Sequence, residues 1–367
     1  MEKPKLVIVG GFLGAGKTTL LSVAAKALKL RNLKVGIITN DQATGLVDTH
    51  VLGVDGFDVE EVSGSCFCCD FTGFVRAIDT LISSHQCEVV LAEPVGSCTD
   101  LSATLVQPLK AYYGTYIDIA PLSVMADALK LQKYFNSYES LLDGSGYIYL
   151  KQLEEADYIL INKTDLLSGA HMANINILLH ERFKDYAVRW LCAKTEIGVE
   201  EWLKEVMTDK VSGKNLAQVD YDTYAVGEAQ MGWYNATLKI EHLKIGSIDW
   251  MAFNKDVLIL FQELFGYEKV IVAHLKILIK NASSHVLGNI VDGNEISLDG
   301  NNFYDRSVRM VLNIRAEASH LLICELVDEI LNIMKEREFT FEFISKKHFA
   351  PSYPRPTYRH YEVFKNS

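Results

Sequence analysis

A glycine-rich loop near the start of the chain contains the residue types that can surround a phosphate group. The stretch GGFLGAGKTT fits the pattern G-x-x-x-x-G-K-[ST] and lies between the apolar run LVIV and a helix-like segment. Glycines allow the tight bend that points successive backbone N–H groups at one phosphate, and the following helix adds the positive end of its dipole. The predicted phosphate-binding residues are Gly11, Gly14, Ala15, Gly16, Lys17, Thr18 and Thr19.

The three residues that end this loop have separate predicted roles. We expect Lys17 to reach the β- and γ-phosphates of a nucleotide, Thr18 to place its hydroxyl on Mg²⁺, and Thr19 to contact the α-phosphate. The alternative is an accidental lysine in a glycine-rich turn. The order strand, loop, helix argues against that alternative.

A second motif predicts which base the nucleotide carries. Residues 161–165 read INKTD, the N-K-x-D arrangement, at the end of an apolar run. The Asp165 carboxylate can accept two hydrogen bonds from the N1–H and N2–H₂ edge of guanine, and adenine has no such donor pair, so we predict GTP rather than ATP. Asn162 and Lys163 are expected to pack against the base and brace the loop. The stretch CAK resembles the S-A-K base-contacting loop of GTPases and adds Cys192, Ala193 and Lys194.

Two acidic residues follow predicted strands between these motifs. Asp41 lies in ITNDQATG and Glu93 in LAEPVG, at the strand ends where open α/β sheets bind ligands. Carboxylates there can hold Mg²⁺ and polarise the attacking water, while Gly96 can give its N–H to the γ-phosphate. The predicted catalytic set is therefore Lys17, Asp41, Glu93 and Gly96. The alternative is that Asp41 caps a helix and Glu93 is a turn residue.

Three cysteines crowd into the stretch SCFCCD. Cys66, Cys68 and Cys69 lie in a loop that leads into an amphipathic helix, whose N-terminus is expected to lower the pKa of nearby thiols. Three thiolates suit Zn²⁺ with one position left open, and Cu(I), Co²⁺ or Ni²⁺ would also accept such a site. A redox pair and inert buried cysteines remain the alternatives.

The elements that position these motifs fall into two patterns. Up to about Met207, apolar strands alternate with helices, which predicts an α/β domain over 1–208 with a mostly parallel sheet covered on both faces. A polar, irregular linker is predicted over 209–229. Beyond it, over 230–348, the order strand, helix, strand, strand, helix, strand predicts a smaller α+β ferredoxin-like domain with a hairpin near Asp292. An extended, Pro-rich tail occupies 349–367.

Composition limits the possible partners. The formal net charge of −11 and the pI near 5.4 argue against binding to nucleic acid or to an anionic membrane surface. No stretch reaches the ~18 apolar residues of a membrane-spanning helix, and the cysteines are too sparse for a disulfide framework. We expect a cytoplasmic protein.

Taken together, the motifs GGFLGAGKTT, SCFCCD, EPVG and NKTD resemble the CobW-type GTPases of the SIMIBI class, relatives of HypB and UreG. The resemblance covers about residues 5–205 and implies a P-loop GTPase that delivers a metal or matures a metalloenzyme. It implies a client apo-metalloenzyme as partner and a possible nucleotide-dependent homodimer. Two departures are Ser65, where the family usually has Gly, and the lack of a histidine-rich tract.

Two further functions remain open at this point. One is a GTP-gated chaperone that loads or reactivates a cobalamin- or corrinoid-dependent enzyme, in which the cysteines are secondary. The other is a P-loop small-molecule kinase, against which NKTD argues. Intrinsic hydrolysis is expected to be slow, because the sequence offers no arginine finger, a group worth ~10³–10⁵ in rate.

Overall fold

The computed structural model of the chain describes residues 3–41, 56–135, 139–142, 144–244, 246–291 and 295–365, without the side chains of Asp41, Ser140 and Val291. Two compact units emerge. Most of the first consists of residues up to Gly227, and the segment from Tyr353 onward also belongs to it. The second unit spans Glu228–Ser352.

A parallel sheet forms the centre of the first unit. Its strand order is β3-β2-β4-β1-β6-β7-β8, and the short β5 pairs with β1. The strands are β1 (Lys5–Gly11), β2 (Val35–Asp41), β3 (Asp58–Ser63), β4 (Val89–Glu93), β5 (Asp118–Ile119), β6 (Ser123–Asp127), β7 (Tyr158–Asn162) and β8 (Ala187–Trp190). The predicted α/β class is confirmed.

Helices cover this sheet, and the first of them shows why they pack there. In α1 (Lys17–Leu30), Leu20, Leu21, Ala24 and Leu28 recur at helical spacing and are buried against the sheet. The other helices of the unit are α2 (Phe71–Asp79), α3 (Gln107–Tyr113), α4 (Ala128–Phe135), α5 (Gly144–Glu154), α6 (Gly169–Phe183), α7 (Val199–Thr208) and α8 (Tyr221–Ala229), with π-helical turns at Thr80–Ser84 and Ser102–Val106 and 3₁₀ turns at Glu139–Leu141 and Thr164–Leu166.

The second unit is built on an antiparallel sheet with the strand order β13-β12-β11-β15-β9-β16. Its elements are β9 (Met231–His242), β10 (Ile248–Asp249), α9 (Trp250–Tyr267), β11 (Ile271–Lys280), β12 (His285–Val291), β13 (Glu295–Gly300), β14 (Tyr304–Asp305), β15 (Ser307–Glu317), α10 (His320–Glu336) and β16 (Phe339–Phe349). The four strands β16, β9, β15 and β11 have the ferredoxin-like order, and β12 with β13 extends it. The predicted turn at Asp292 lies outside the described residues.

Two predicted irregular segments have more structure than the sequence suggested. Residues 221–229 of the predicted linker form α8, so the prediction that the whole linker is irregular is wrong there. The tail from Pro351 to Lys365 has no regular secondary structure, but it makes specific contacts within the first unit. Among the described helices, none combines the length and the apolar character needed to cross a membrane.

Candidate nucleotide and metal sites

The glycine-rich loop joins β1 to α1 and has the backbone that its glycines permit. Gly11, Gly14 and Gly16 have φ angles of 129°, 78° and 98°, in the region that side chains disfavour. A Cβ at Gly11 would lie 2.3 Å from the carbonyl oxygen of Met125, and one at Gly16 would lie 2.4 Å from Nδ2 of Asn162. The loop can therefore pack this closely against β6 and β7 only because glycines occupy these two positions.

Three predicted residues meet at the start of α1. The hydroxyl of Thr18 donates to the Glu93 carboxylate at 2.9 Å, and Lys17 Nζ lies 3.8 Å from the same carboxylate. Lys17 is buried, and Nζ also donates to the Phe12 carbonyl at 3.4 Å. Hydroxyl and carboxylate oxygens are the ligands that Mg²⁺ prefers, so Thr18 and Glu93 fit a magnesium ion.

The segment after Glu93 packs on the phosphate-binding loop. A Cβ at Gly96 would lie 3.1 Å from the Cα of Leu13, so Gly96 lies against the glycine-rich loop. Gln152 on α5 holds this segment, because its Nε2 donates to the carbonyls of Gly96 at 3.0 Å and Cys98 at 2.7 Å. The sequence analysis missed Gln152, which carries no motif.

The predicted role of Asp41 falls outside what the structure describes. Its backbone ends β2, but its side chain and residues 42–45 of ITNDQATG are not among the described parts of the chain. The role of Asp41 in Mg²⁺ binding and catalysis stays a prediction.

The predicted base-binding residues lie on two neighbouring loops. Asn162 joins them to the phosphate-binding loop, because its Nδ2 donates to the Ala15 carbonyl at 2.7 Å and its Oδ1 accepts from the Ala193 N–H at 2.9 Å. The Cys192 thiol donates to Oδ1 of Asp165 at 3.1 Å, which fixes the carboxylate. The structure thus brings together Asn162, Asp165, Cys192 and Ala193, while Lys194 is exposed beside them.

Lys163 occupies the turn between the two motif residues and is braced by a residue that the sequence analysis missed. Its φ angle is 64°, and its ammonium group forms an ion pair with Asp127 at the end of β6. Asp127 also accepts the N–H groups of Leu129 at 2.9 Å and Lys130 at 3.2 Å. The sequence did offer a sign of this role, because Asp127 is an acidic residue at the end of the apolar strand SVMAD.

Lys130 supports the phosphate-binding loop from α4. Its Nζ donates to the Leu13 carbonyl at 2.9 Å and lies 4.9 Å from the centre of the Phe12 ring. The side chain is buried, so this cation is held in place by the loop backbone and an aromatic face.

The three cysteines of SCFCCD form a compact group of thiols. The Sγ atoms of Cys66 and Cys68 are 2.9 Å apart, those of Cys68 and Cys69 are 3.9 Å apart, and all three lie within 4.8 Å of one another. The turn is closed by the N–H groups of Cys69 and Asp70, which donate to the Cys66 carbonyl at 3.0 and 2.9 Å. Among the described residues, these three cysteines are the one group of three or more His, Cys, Asp or Glu side chains close enough together to hold a metal ion.

Asn40 holds the cysteine loop at the end of β2. Its Nδ2 donates to the carbonyls of Val62 at 2.8 Å and Ser65 at 2.7 Å, and its Oδ1 accepts the Phe67 N–H at 2.9 Å. The neighbouring residue on β2, Thr39, is the register partner of Glu93 on β4. The cysteine loop and the predicted Mg²⁺ ligand are therefore held by adjacent strand ends.

The thiols differ in acidity, which corrects one expectation. Hydrogen bonds from the thiols of Cys68, Cys69 and Cys98 hold the pKa of Cys66 well below its usual value. The hydrogen bond to Cys66 raises the pKa of Cys68 well above the usual value and that of Cys69 to about 11. The expected lowering of the thiol pKa is therefore found for Cys66 and not for Cys68 and Cys69, because their hydrogen bonds to Cys66 raise the pKa of those two thiols.

The tail from Tyr353 onward closes over the cysteine loop. The N–H of Thr357 donates to the Cys68 carbonyl at 2.8 Å, and its hydroxyl donates to the Cys69 carbonyl at 3.1 Å. Two residues later, the Arg359 guanidinium pairs with the fully buried Asp100 at 2.6 Å. Asp100 also accepts the hydroxyl of Tyr221 at 2.9 Å.

The parallel sheet, its glycine-rich loop and the base-side loops define a P-loop nucleotide-binding protein. The family model for the CobW/HypB/UreG nucleotide-binding domain matches residues 5–185, so this part of the chain belongs to that family. The resemblance stated from the motifs is confirmed.

Curated relatives match about half of the chain. The chain is 24% identical over 208 residues to zinc-regulated GTPase metalloprotein activator 1 of Dictyostelium discoideum, with 48% of this chain and 43% of that protein covered. It is 24% identical over 189 residues to the zinc chaperone YjiA of Escherichia coli, with 50% and 54% covered. The chain thus spans about half the length of the curated relatives it matches. The solved HypB of Helicobacter pylori in complex with nickel is 16% identical, with a TM-score of 0.43 over 57% of this chain and 87% of that one.

Proposed function

We propose that this protein binds and hydrolyses GTP and uses the nucleotide cycle to hold and deliver a transition metal, with Zn²⁺ as the first choice, to a client apo-metalloenzyme. The observation that carries the proposal is the common support of two sites. At the end of β2, Asn40 holds the loop that carries the thiol cluster. At the end of the neighbouring strand β4, Glu93 accepts a hydrogen bond from Thr18 of the nucleotide site. Relatives named as zinc chaperones and as a zinc-regulated GTPase support the metal and the nucleotide.

The nucleotide half of the proposal rests on donors and acceptors in the expected places. Lys17 and the loop N–H groups offer positive charge for the phosphates, and the carboxylate of Asp165 offers acceptors for guanine. Mg²⁺ bound by Thr18 and Glu93 would neutralise charge on the phosphate oxygens. Hydrolysis is slow without a partner, and a client or second copy that supplies an arginine would accelerate it by ~10³–10⁵.

The metal half rests on the thiol cluster, where the metal is cargo. Three thiolates accept Zn²⁺, Cu(I), Co²⁺ or Ni²⁺, and relatives named as zinc chaperones are the reason for placing Zn²⁺ first. Hydrogen bonds from neighbouring thiols hold the pKa of Cys66 well below its usual value, which favours the thiolate form that binds metal. The same proposal includes a client protein that docks on the second unit. It also includes a homodimer that forms in one nucleotide state.

The decisive measurement is Zn²⁺ affinity in two nucleotide states. Full-length protein, purified without oxygen, is titrated with Zn²⁺ against a chromophoric chelator, once with GDP and once with a non-hydrolysable GTP analogue. We expect the affinities to differ by ~5–150-fold, the usual range of coupling between two sites. The variant with Cys66, Cys68 and Cys69 all changed to Ser is expected to lose the high-affinity site.

Cys324→Ser is the matched control, because Cys324 lies in the second unit. It should keep wild-type affinity in both states. Equal affinities for Zn²⁺ with GDP and with the analogue would reject coupled delivery. Unchanged binding in the triple variant would reject the metal site itself.

A further inference from the structure

Backbone donors tie the tail to the first unit beyond its two bonds from Thr357 to the cysteine loop. The His360 N–H donates to the Ala103 carbonyl at 3.0 Å. The Phe364 N–H donates to Oε1 of Gln107 at 2.8 Å. The tail has no regular secondary structure, so it is held in place by contacts with other parts of the unit.

Two consecutive side chains anchor the middle of the tail. The Tyr358 ring packs edge-on against Phe71, with ring centres 5.2 Å apart, and its centre lies 5.3 Å from that of Tyr112. The next residue, Arg359, pairs with Asp100, which has no exposed surface. Phe71 begins α2 directly after the cysteine loop, so the aromatic anchor lies beside the thiol cluster.

The thiols under this part of the chain are closed to large molecules. Cys66 and Cys68 are 6% and 4% exposed, so neither sulfur is open to the ligand residues of another protein in this conformation. The cysteine loop has to move before a metal can change hands. Thr357 opposes that movement, because it bonds the carbonyls of both Cys68 and Cys69, at 2.8 and 3.1 Å.

We propose that the tail is a strap that gates the cysteine site, so that the thiols exchange metal or react with reagents only when the tail lifts from the cysteine loop. A segment held by a few separate bonds outside regular structure can open without unfolding of the sheet. A client that takes the metal therefore displaces the tail first. The metal step rests on the function proposed above, whereas the reactivity of the metal-free thiols does not.

Alkylation of the metal-free thiols tests the strap. Reduced, full-length protein is treated with excess iodoacetamide, each thiolate displaces one iodide, and peptide mass spectrometry follows every cysteine separately. Thr357→Pro removes both the N–H and the hydroxyl that bond the cysteine loop while the chain stays complete. We expect Cys66 and Cys68 to react about 10–100-fold faster in this variant, the rise in open population that the loss of two hydrogen bonds produces.

Thr357→Val keeps the N–H and loses only the hydroxyl, so its rates should fall between those of wild type and Thr357→Pro. Thr340→Val is the matched control, because the Thr340 hydroxyl also donates to a carbonyl, that of Glu241, but in the second unit. It should keep wild-type rates. Cys87 is a buried thiol of the first unit outside the cysteine loop and serves as the internal control in every variant.

Two results overturn the strap. One is equal alkylation of the cluster thiols in wild type and Thr357→Pro. The other is a parallel rise at Cys87, because unfolding of the unit and not lifting of the tail would then expose the thiols. Zn²⁺ transfer from loaded protein to a chelator should accelerate in the order wild type, Thr357→Val, Thr357→Pro. A wild type that binds no Zn²⁺ but shows the expected alkylation rates rejects the metal function and leaves the strap standing.

Discussion

The Asp165 carboxylate, the predicted acceptor for the guanine edge, accepts a hydrogen bond from the Cys192 thiol. Replacing it in Asp165→Asn turns one acceptor into an amide donor, which mismatches guanine and matches the carbonyl of xanthine. We expect GTP affinity to fall by ~10–100-fold, since a hydrogen bond to a charged group is worth about 1.5–3 kcal/mol. Affinity for XTP should rise.

Equilibrium binding of fluorescent GTP and XTP measures both effects. Asp185→Asn, a change of the same type at an exposed residue, should leave the GTP-to-XTP ratio unchanged. If Asp165→Asn also leaves the ratio unchanged, Asp165 does not read the base.

For single residues, the sequence predicts those within motifs but not the side chains that hold the motif segments in place. Motif spacing and strand ends predict Lys17, Thr18 and Glu93 at one site, and the structure brings these three side chains together. Asn40 and Gln152 were not predicted, since each acts on backbone carbonyls of segments far away in the sequence. Such partners follow from the folded path of the chain, and no pattern of residue types marks them.

The tail element depends on a buried ion pair that anchors it beside the cysteine loop. Asp100 has a left-handed backbone, with φ 66°, and no exposed surface, and Arg359 compensates its charge. Arg359→Gln leaves that charge with weaker compensation, so we expect a loss of about 3 kcal/mol in the free energy of unfolding of the first unit. Urea denaturation measures it.

Arg355→Gln, in an exposed position of the same tail, is the control and should lose less than about 0.5 kcal/mol. In the double variant Asp100→Asn with Arg359→Gln, part of the loss should return, because no uncompensated charge remains. Equal stabilities of Arg359→Gln and wild type would show that the pair contributes nothing.

A buried carboxyl at the end of α5 gives the first unit a pH dependence. Glu155 is fully buried and accepts the N–H of Ser102 at 2.8 Å, and desolvation by burial followed by the charge of Asp100 raises its pKa well above the usual value. The folded protein therefore keeps a proton that the unfolded chain has lost. Stability from this group is fully present below about pH 4.5 and declines as the pH rises towards the native pKa, by at most about 1.4 kcal/mol per pH unit.

Glu155→Gln removes this titration while keeping the shape of the side chain. Urea denaturation between pH 5.5 and 8 should show a smaller decline in the variant than in the wild type. Any decline in stability with pH that remains in the variant is attributed to Asp100 and Asp157, because burial also raises the pKa values of these two carboxyls. Parallel curves for variant and wild type would mean that Glu155 is ionised in the native state.

Among the elements, apolar strands were predictable and polar ones were not. The run LVIV predicts β1 because it is apolar throughout, and the structure buries all four of its residues. β3, with the sequence DVEEVS, was missed because three of its six residues are acidic, so this edge strand has no apolar signal. The helix Tyr221–Ala229 was missed for a related reason, since its sequence YDTYAVGEA lacks a clear helical apolar stripe.

For the whole molecule, the change of hydrophobic period along the chain was the informative signal. Alternation of strands and helices predicted the parallel sheet, and period-two strands such as WYNATLKIEHL predicted the antiparallel one. The strands β12 and β13 pair on either side of the hairpin that the sequence predicts near Asp292, but their place at the edge of the sheet, and the return of the tail to the first unit, did not follow from the sequence. Both depend on long-range pairing, which local patterns do not encode.

The division of the chain has a consequence for how the protein is made. Thr357 and Arg359 complete the first unit, yet the ribosome reaches them only after the whole of Glu228–Ser352 has been translated. At ordinary elongation rates this delay is roughly 6–25 s. During that interval the nascent cysteine loop has neither its Thr357 hydrogen bonds nor the neighbouring Arg359 anchor, so its thiols are most open to cations and oxidants before synthesis is finished.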